Sequence, residues 1–289
     1  LEGDDGLVDF GWNEQGPRDE EARLIRARTP DGRTLAVLVN FACHPICLPP
    51  WSRLISADWV GEMRRYVEAE TGAVCLFVQG GCADVNPRHE WVPRRLGKND
   101  IRGPHAADSD GGACEVLGRR LGASVVGALA GELTPVAAGP IRAASEDVPM
   151  PLTPEPGTGP GGRLPYWHGI VRGTKLPKWL VDRLLARAFP WRTTVRARDD
   201  GFEVPLAVQA VRIGELAIAA HGSEAFCETG AAIMDGSPAA HTLFAGYSNG
   251  MIGYVPPPQE IPRRGYEVDT VPYLYRLPGR FSADAERLL

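Results

Sequence analysis

Six short stretches of the chain concentrate side chains able to hold a metal or move a proton. NFACHP carries His44, LISADW carries Asp58, and GGCADVNPR carries Asp84 and Asn86. AHGSEAF carries His221, Ser223 and Glu224, AGYSNGMIGYVP carries Tyr247, Asn249 and Tyr254, and RRGYEV carries Tyr266. Imidazole nitrogen, carboxylate and phenolate oxygen are the donors a zinc-type ion accepts, and the same groups serve as general acids, bases and oxyanion donors.

Taken singly, each stretch also has a structural reading. A histidine at the end of an apolar run is commonly a core residue bonded to a backbone carbonyl. Ser223 could be a nucleophile, but G-x-S-x-G is not completed around it. Glu224 is a ligand or base on one reading, and on the other a first-turn acid behind a Ser223 N-cap. Tyrosines in such runs are commonly packing residues with a bonded hydroxyl. Cys43 and Cys47 flank His44 as in a zinc knuckle, yet no second Cys/His pair follows at the spacing structural zinc sites use. The six cysteines sit mostly in apolar runs, which fits buried free thiols better than a disulfide lattice.

The elements that must position these groups follow from hydrophobic patterning. Pro30-Asp31-Gly32-Arg33 is a turn opening a strand from Thr34 to Phe41. Trp59, Val60, Met63, Tyr66 and Val67 recur at helical spacing within Ala57 to Thr71. Ala73 to Gln79 is almost continuously apolar, as in a strand covered on both faces. Further along, the pattern predicts a helix over about Gly112–Leu133, a strand near Pro140–Val148, and an amphipathic helix over Leu176–Phe189. The last third predicts a hairpin of Phe202–Ile213 with Glu215–Ala220, a helix over about Glu224–Met234, and a strand His241–Ala245. Residues 150–198, which open on a Pro/Gly/Thr-rich run, read as an insertion or lid within one domain. Strands alternating with helices, plus a hairpin, predict an α/β fold: a mixed β-sheet core flanked by helices in a single catalytic domain. The candidate side chains then fall where strands end, the usual place for a site in such folds.

Composition narrows the function class. With 289 residues, 31 basic and 36 acidic side chains and 44% hydrophobic residues, the chain is neither a disordered tail nor a nucleic-acid binder by bulk electrostatics. Its longest apolar runs fall short of the ~20 residues of a membrane helix.

In order and spacing, NFACHP with LISADW, VCLFVQGGCADVNPR, GSEAFCETG, GYSNGMIGYVP and GYEV resemble the catalytic N-terminal domain of the neutral/alkaline (non-lysosomal) ceramidase superfamily, over about residues 25–148 and 200–289. The resemblance implies a zinc-dependent hydrolase of a linear amide, with metal-bound water as nucleophile. It places metal ligands at His44, Glu224 and Tyr254, with Tyr266 polarising the scissile carbonyl. Asp84 or Asp58 would orient a histidine ligand, and Asn86 and Asn249 would meet a small amide or lipid-like substrate.

Two departures qualify this picture. The family's loop serine falls on Asn86, which lacks a hydroxyl, and this puts ceramide itself in question as substrate. The family's upstream H-x-H pair has no counterpart, because His44 is the first histidine. Residues 1–289 are therefore expected to be a catalytic domain whose first metal-binding segment is missing, or one in which His89, His105 or His221 substitutes. Alternatives are a non-catalytic relative binding a lipid- or glycan-like ligand, and a serine hydrolase using Ser223. Compact bacterial-type members lack the C-terminal immunoglobulin-like domain of larger ones, and this chain resembles those. The resemblance favours a secreted or periplasmic location, and the sequence does not set an oligomeric state.

Overall fold

The structure is a computed structural model that describes residues 13–48, 52, 54–87, 112–137, 139–154 and 193–289, with isolated positions 180, 183 and 187. The first layer starts with an antiparallel pair, β1 (Arg23–Arg28) and β2 (Thr34–Phe41), joined by a tight turn in which Gly32 takes φ 90°. From β2 the chain passes through α1 (Asp58–Thr71) to β3 (Val74–Gln79), which lies parallel to β2. The helix ends on Gly72 in the left-handed conformation (φ 66°), a glycine cap that lets the chain reverse into the strand.

A second helix, α2 (Gly112–Ala130), lies against α1. Close approach of the two backbones depends on Gly118, where a Cβ would stand 2.4 Å from Glu62 Cβ and 2.5 Å from the Trp59 carbonyl oxygen. Val37 and Val39 of β2, Met63 and Val67 of α1, Cys75 of β3 and Val125 of α2 close the core of this layer.

The second layer is a larger mixed sheet. Its strands are β4 (Ile141–Pro154), β5 (Arg196–Arg198), β6 (Gly201–Ile213), β7 (Leu216–His221), β9 (His241–Ala245) and β11 (Gly279–Phe281), in the order β11-β4-β6-β7-β9 with β5 on β6. Along β6, Phe202, Val204 and Leu206 alternate inward and pack on Met150, Leu152 and Phe281. From β7 the chain crosses through β8 (Glu224–Ala225) and α3 (Cys227–Asp235) to β9, parallel to β7. A two-residue strand, β10 (Tyr254–Val255), pairs with β8, and α4 (Val271–Leu274) follows before β11.

The two sheets meet where their parallel strands end. Asn40, 2% exposed near the end of β2, donates from its one side-chain nitrogen to the carbonyls of Val78 and Phe244, each at 3.0 Å. Gly246 N–H donates to the Gln79 carbonyl (3.0 Å), closing the seam between β3 and β9.

This architecture is the α/β fold with a mixed sheet that the patterning predicts, and several elements differ from expectation locally. The strand expected to end at Val148 runs on to Pro154, because β6 pairs with it as far as Leu152 and β11 takes up the remainder. Residues 150–154 are thus sheet and not lid, while most of 155–192, including the helix expected over Leu176–Phe189, lies outside the described residues. The helix expected from Glu224 begins at Cys227 instead. Its N-cap is Phe226 without a side-chain hydrogen bond, so Ser223 does not cap it. Among the described residues no helix is long and apolar enough to cross a membrane.

Candidate metal centre at the strand ends

His44 stands three residues beyond the end of β2, and three hydrogen bonds fix it. Its backbone N–H donates to the Val85 carbonyl (2.9 Å), and its own carbonyl accepts from Trp59 Nε1 (3.0 Å). Nε2 lies 3.0 Å from the Ala83 carbonyl. A neutral imidazole that donates Nε2–H to a carbonyl keeps a lone pair on Nδ1, which is how metal-binding histidines are commonly held. Burial lowers the His44 pKa, against the raising effect of the Ala83 contact, so the ring is neutral near pH 7.

Glu224 reaches the same place through strand pairing. It lies directly beside Tyr254 in the parallel β8–β10 register, and its N–H donates to the Gly253 carbonyl (3.0 Å). Its carboxylate accepts hydrogen bonds from the Tyr254 hydroxyl and from Tyr247 Oη, the latter at 3.2 Å. Oε2 also lies 3.8 Å from His44 Nε2. Burial raises the Glu224 pKa, and the two tyrosine hydrogen bonds only partly oppose it. In turn, burial and the Glu224 charge push the Tyr254 phenol upward, and hold Tyr266 at about 12. The Tyr254 and Tyr266 rings meet edge to face with centroids 6.0 Å apart.

These contacts bring together His44, Glu224, Tyr254 and Tyr266, four of the residues singled out in the sequence. They also bring in one that pattern reading assigned to packing. Tyr247 Oη lies 3.4 Å from His44 Nε2, 3.5 Å from His44 Nδ1 and 3.4 Å from Cys82 Sγ, in addition to its bond with Glu224. Tyr247 adopts φ 57°, in the left-handed region where non-glycine residues are uncommon. The tight turn after β9 that this requires is the signal a Gly-Tyr-Ser-Asn-Gly run offers. On the opposite wall, Gly81 sits where a Cβ would lie 2.5 Å from the Phe226 carbonyl oxygen, so only glycine lets the β3 loop close on β8.

Other expected residues lie elsewhere. Neither Asp58 nor Asp84 orients His44: the Ala83 carbonyl does so, while the Asp58 oxygens accept from the backbone N–H groups of Cys47, Leu48 and Trp59. Asp84 is exposed on the turn after β3 and faces the charges of Glu228 and Glu260. Asn86 is half-buried in the same loop. Asn249 is exposed and donates Nδ2 to Gln209 Oε1 at 2.6 Å. Ser223 is fully buried with Oγ 3.1 Å from His221 Nδ1, so its hydroxyl has no surface to offer a substrate. His221, 2% exposed, stays with that serine and does not take the place of an upstream ligand, while His89 and His105 lie outside the described residues.

The donor set suits a cation. A largely buried carboxylate faces a neutral imidazole and phenols, and no Lys or Arg among the described residues forms an ion pair with it. A second set has the same capacity: Cys47, Asp58 and Cys114 present ligand atoms within 4.8 Å of one another, all buried. The Cys43–His44–Cys47 knuckle is therefore not what forms, since Cys47 turns to Cys114, on α2.

No protein-family model and no curated protein matches the chain. Solved structures do. The chain is similar to the neutral ceramidase from Pseudomonas aeruginosa (TM-score 0.55, 18% identity), covering 91% of this chain and 48% of that one. It is also similar to a structure described as a ceramidase complexed with C2 (TM-score 0.58, 15% identity), covering 91% of this chain and 45% of that one. The chain spans about half the length of each, and what it shares with them is the fold.

Proposed function

We propose that this chain forms part of a zinc-dependent hydrolase that cleaves a linear amide bond, with His44, Glu224 and Tyr254 as the ligands it contributes. The observation carrying this reading is the pairing of β8 with β10, which sets Glu224 beside Tyr254 while the β2 loop brings His44 within 3.8 Å of the same carboxylate. When bound at such a set, zinc supplies Lewis acidity and brings the pKa of a coordinated water to about 7.

The chain's own residues do the rest. The Ala83 carbonyl fixes the His44 tautomer, and the β8–β10 ladder fixes the carboxylate. Tyr266 keeps its proton at neutral pH, so its hydroxyl is available to donate to the oxygen of a polarised amide carbonyl, worth roughly 3 kcal/mol if it acts as other oxyanion donors do. Tyr247, also protonated, bridges His44 and Glu224 and limits how far either can turn.

Elemental analysis of the full-length protein, with hydrolysis of a short N-acyl amine assayed in parallel, tests the reading. Loss of one zinc equivalent in Glu224→Gln, together with activity, supports it. A protein that carries no zinc and is inert would be the ligand-binding relative instead.

A further inference from the structure

Apart from the strand-end site, three buried groups converge from three separate segments. Cys47 lies in the loop after β2, Asp58 is the first residue of α1, and Cys114 is in the first turn of α2, with exposures of 0%, 6% and 3%. All three present ligand atoms within 4.8 Å of one another. We propose that Cys47, Asp58 and Cys114 form a second metal site, binding a thiophilic divalent cation of the zinc class through two thiolates and one carboxylate oxygen.

The chemistry of each donor supports this. Asp58 Oδ1 accepts from the backbone N–H of Cys47 (3.0 Å) and Trp59 (2.8 Å), while Oδ2 accepts only one backbone N–H, from Leu48 (2.9 Å). A carboxylate oxygen with one such bond retains a lone pair for a cation. Both sulfurs lie beside this carboxylate, whose charge together with burial favours the protonated thiols, so two S–H groups stand where the cation would bind. One divalent cation would replace those two protons. Two S–H bonds break, two metal–sulfur bonds and one metal–oxygen bond form, two protons leave to buffer, and nothing is oxidised or reduced. Asp58 holds φ 52°, a left-handed conformation uncommon for a non-glycine residue, which turns its carboxylate back over the loop. A cavity of about 350 Å³, lined by Leu48, Ser56, Glu62, Gly112, Cys114 and Glu115, opens against Cys114 and provides entry and room for a water as fourth ligand.

Bound there, the cation would tie the β2 loop to the starts of both helices. That loop carries His44, whose carbonyl is held by Trp59, the residue after Asp58. The role is structural: two thiolates and a carboxylate from three segments close a loop that otherwise rests on hydrogen bonds.

The test uses the full-length protein, reduced and stripped of metal, titrated with Cd²⁺ in the Glu224→Gln background so that the strand-end set contributes nothing. The expected result is one thiolate-to-cadmium absorption band, saturating at one equivalent with release of two protons, and two sulfur neighbours in the cadmium X-ray absorption spectrum. Cys114→Ser and Cys47→Ser should each weaken binding at least about 100-fold, whereas Cys227→Ser and Cys82→Ser should leave it unchanged. Absence of the band, zero sulfur neighbours, or a band that persists in both Cys114→Ser and Cys47→Ser would overturn the proposal. The sulfur count needs no variant at this site, so it stands even where a substitution impairs folding. Failure here leaves the His44–Glu224–Tyr254 reading intact, because that set contains no sulfur.

Discussion

Two donor clusters among the described residues begin only three positions apart in the chain, at His44 and at Cys47, and they are built in opposite ways. The first stands on strand ends and two-residue ladders, and its groups are held by bonds at their periphery: a carbonyl on His44, a backbone ladder on Glu224. The second stands on helix starts, and its central carboxylate is itself the hub, collecting three backbone N–H groups. Where outlying bonds position a group, the group stays available for chemistry. Where the group is the hub, removing it loosens the surrounding fold.

Substitutions can break that contrast. The largest effect on activity is expected at Glu224: Glu224→Ala should lower amide hydrolysis by about 100–1,000-fold while shifting the unfolding midpoint little, as read by steady-state kinetics beside a thermal melt. Comparable loss of stability and activity would mean that Glu224 is a structural hub as well. The converse holds at Asp58, where Asp58→Ala leaves three buried N–H groups without an acceptor and should cost about 3 kcal/mol of stability by chemical denaturation. A smaller effect is expected at Asn40, where loss of the amide leaves two carbonyls unmet at the seam. Asn40→Ala should cost about 2 kcal/mol, and a change under a few tenths would show the seam to be held by packing alone.

Glu267 provides a pH test. Burial, with the nearby charges of Asp84, Glu260 and Glu224, raises its carboxyl from 4.5 to about 7. A raised carboxyl binds its proton more tightly folded than unfolded, so stability should fall as pH rises from about 4.5 through about 7. Glu267→Gln should flatten that slope, by an amount of the order of 3 kcal/mol between the two limits. The smallest effect is expected at Asn249. Exposed and bonded to Gln209, it should change the kinetics less than about threefold on conversion to Ala, and a larger change would return it to the substrate side of the site.

The strands were the most legible part of the sequence. Thr34–Phe41 and His241–Ala245 form with the bounds their apolar runs predict, because a run flanked by turn residues marks both ends locally. Glu224 was legible as a site candidate but not as a strand residue. Its partner Tyr254 lies thirty positions on, and two residues carry no periodicity by which to recognise a strand. Tyr247 was hidden because an aromatic residue near a strand end reads as packing until its hydroxyl is seen between an imidazole and a carboxylate. Cys114 was hidden for a related reason: nothing local connects the start of α2 to the β2 loop, and only the close contact of α1 with α2 does so. Asp58 reads in the sequence as a group that could orient a histidine ligand, yet its partners are backbone amides, which no spacing of side chains reveals.

The Asn40 amide bears on how this protein moves. It joins the two sheets at the base of the site, so His44, carried by one sheet, and Tyr247, carried by the other, share one rigid foundation. Fluctuations that leave each sheet internally intact but part them would take the donor groups away from each other before either layer unravelled. Catalytic competence should then be lost in a sub-global opening cheaper than full unfolding, and amide exchange at Gly246 and Ala83, whose N–H groups donate across the seam to Gln79 and Ala225, would report that opening as one cooperative step.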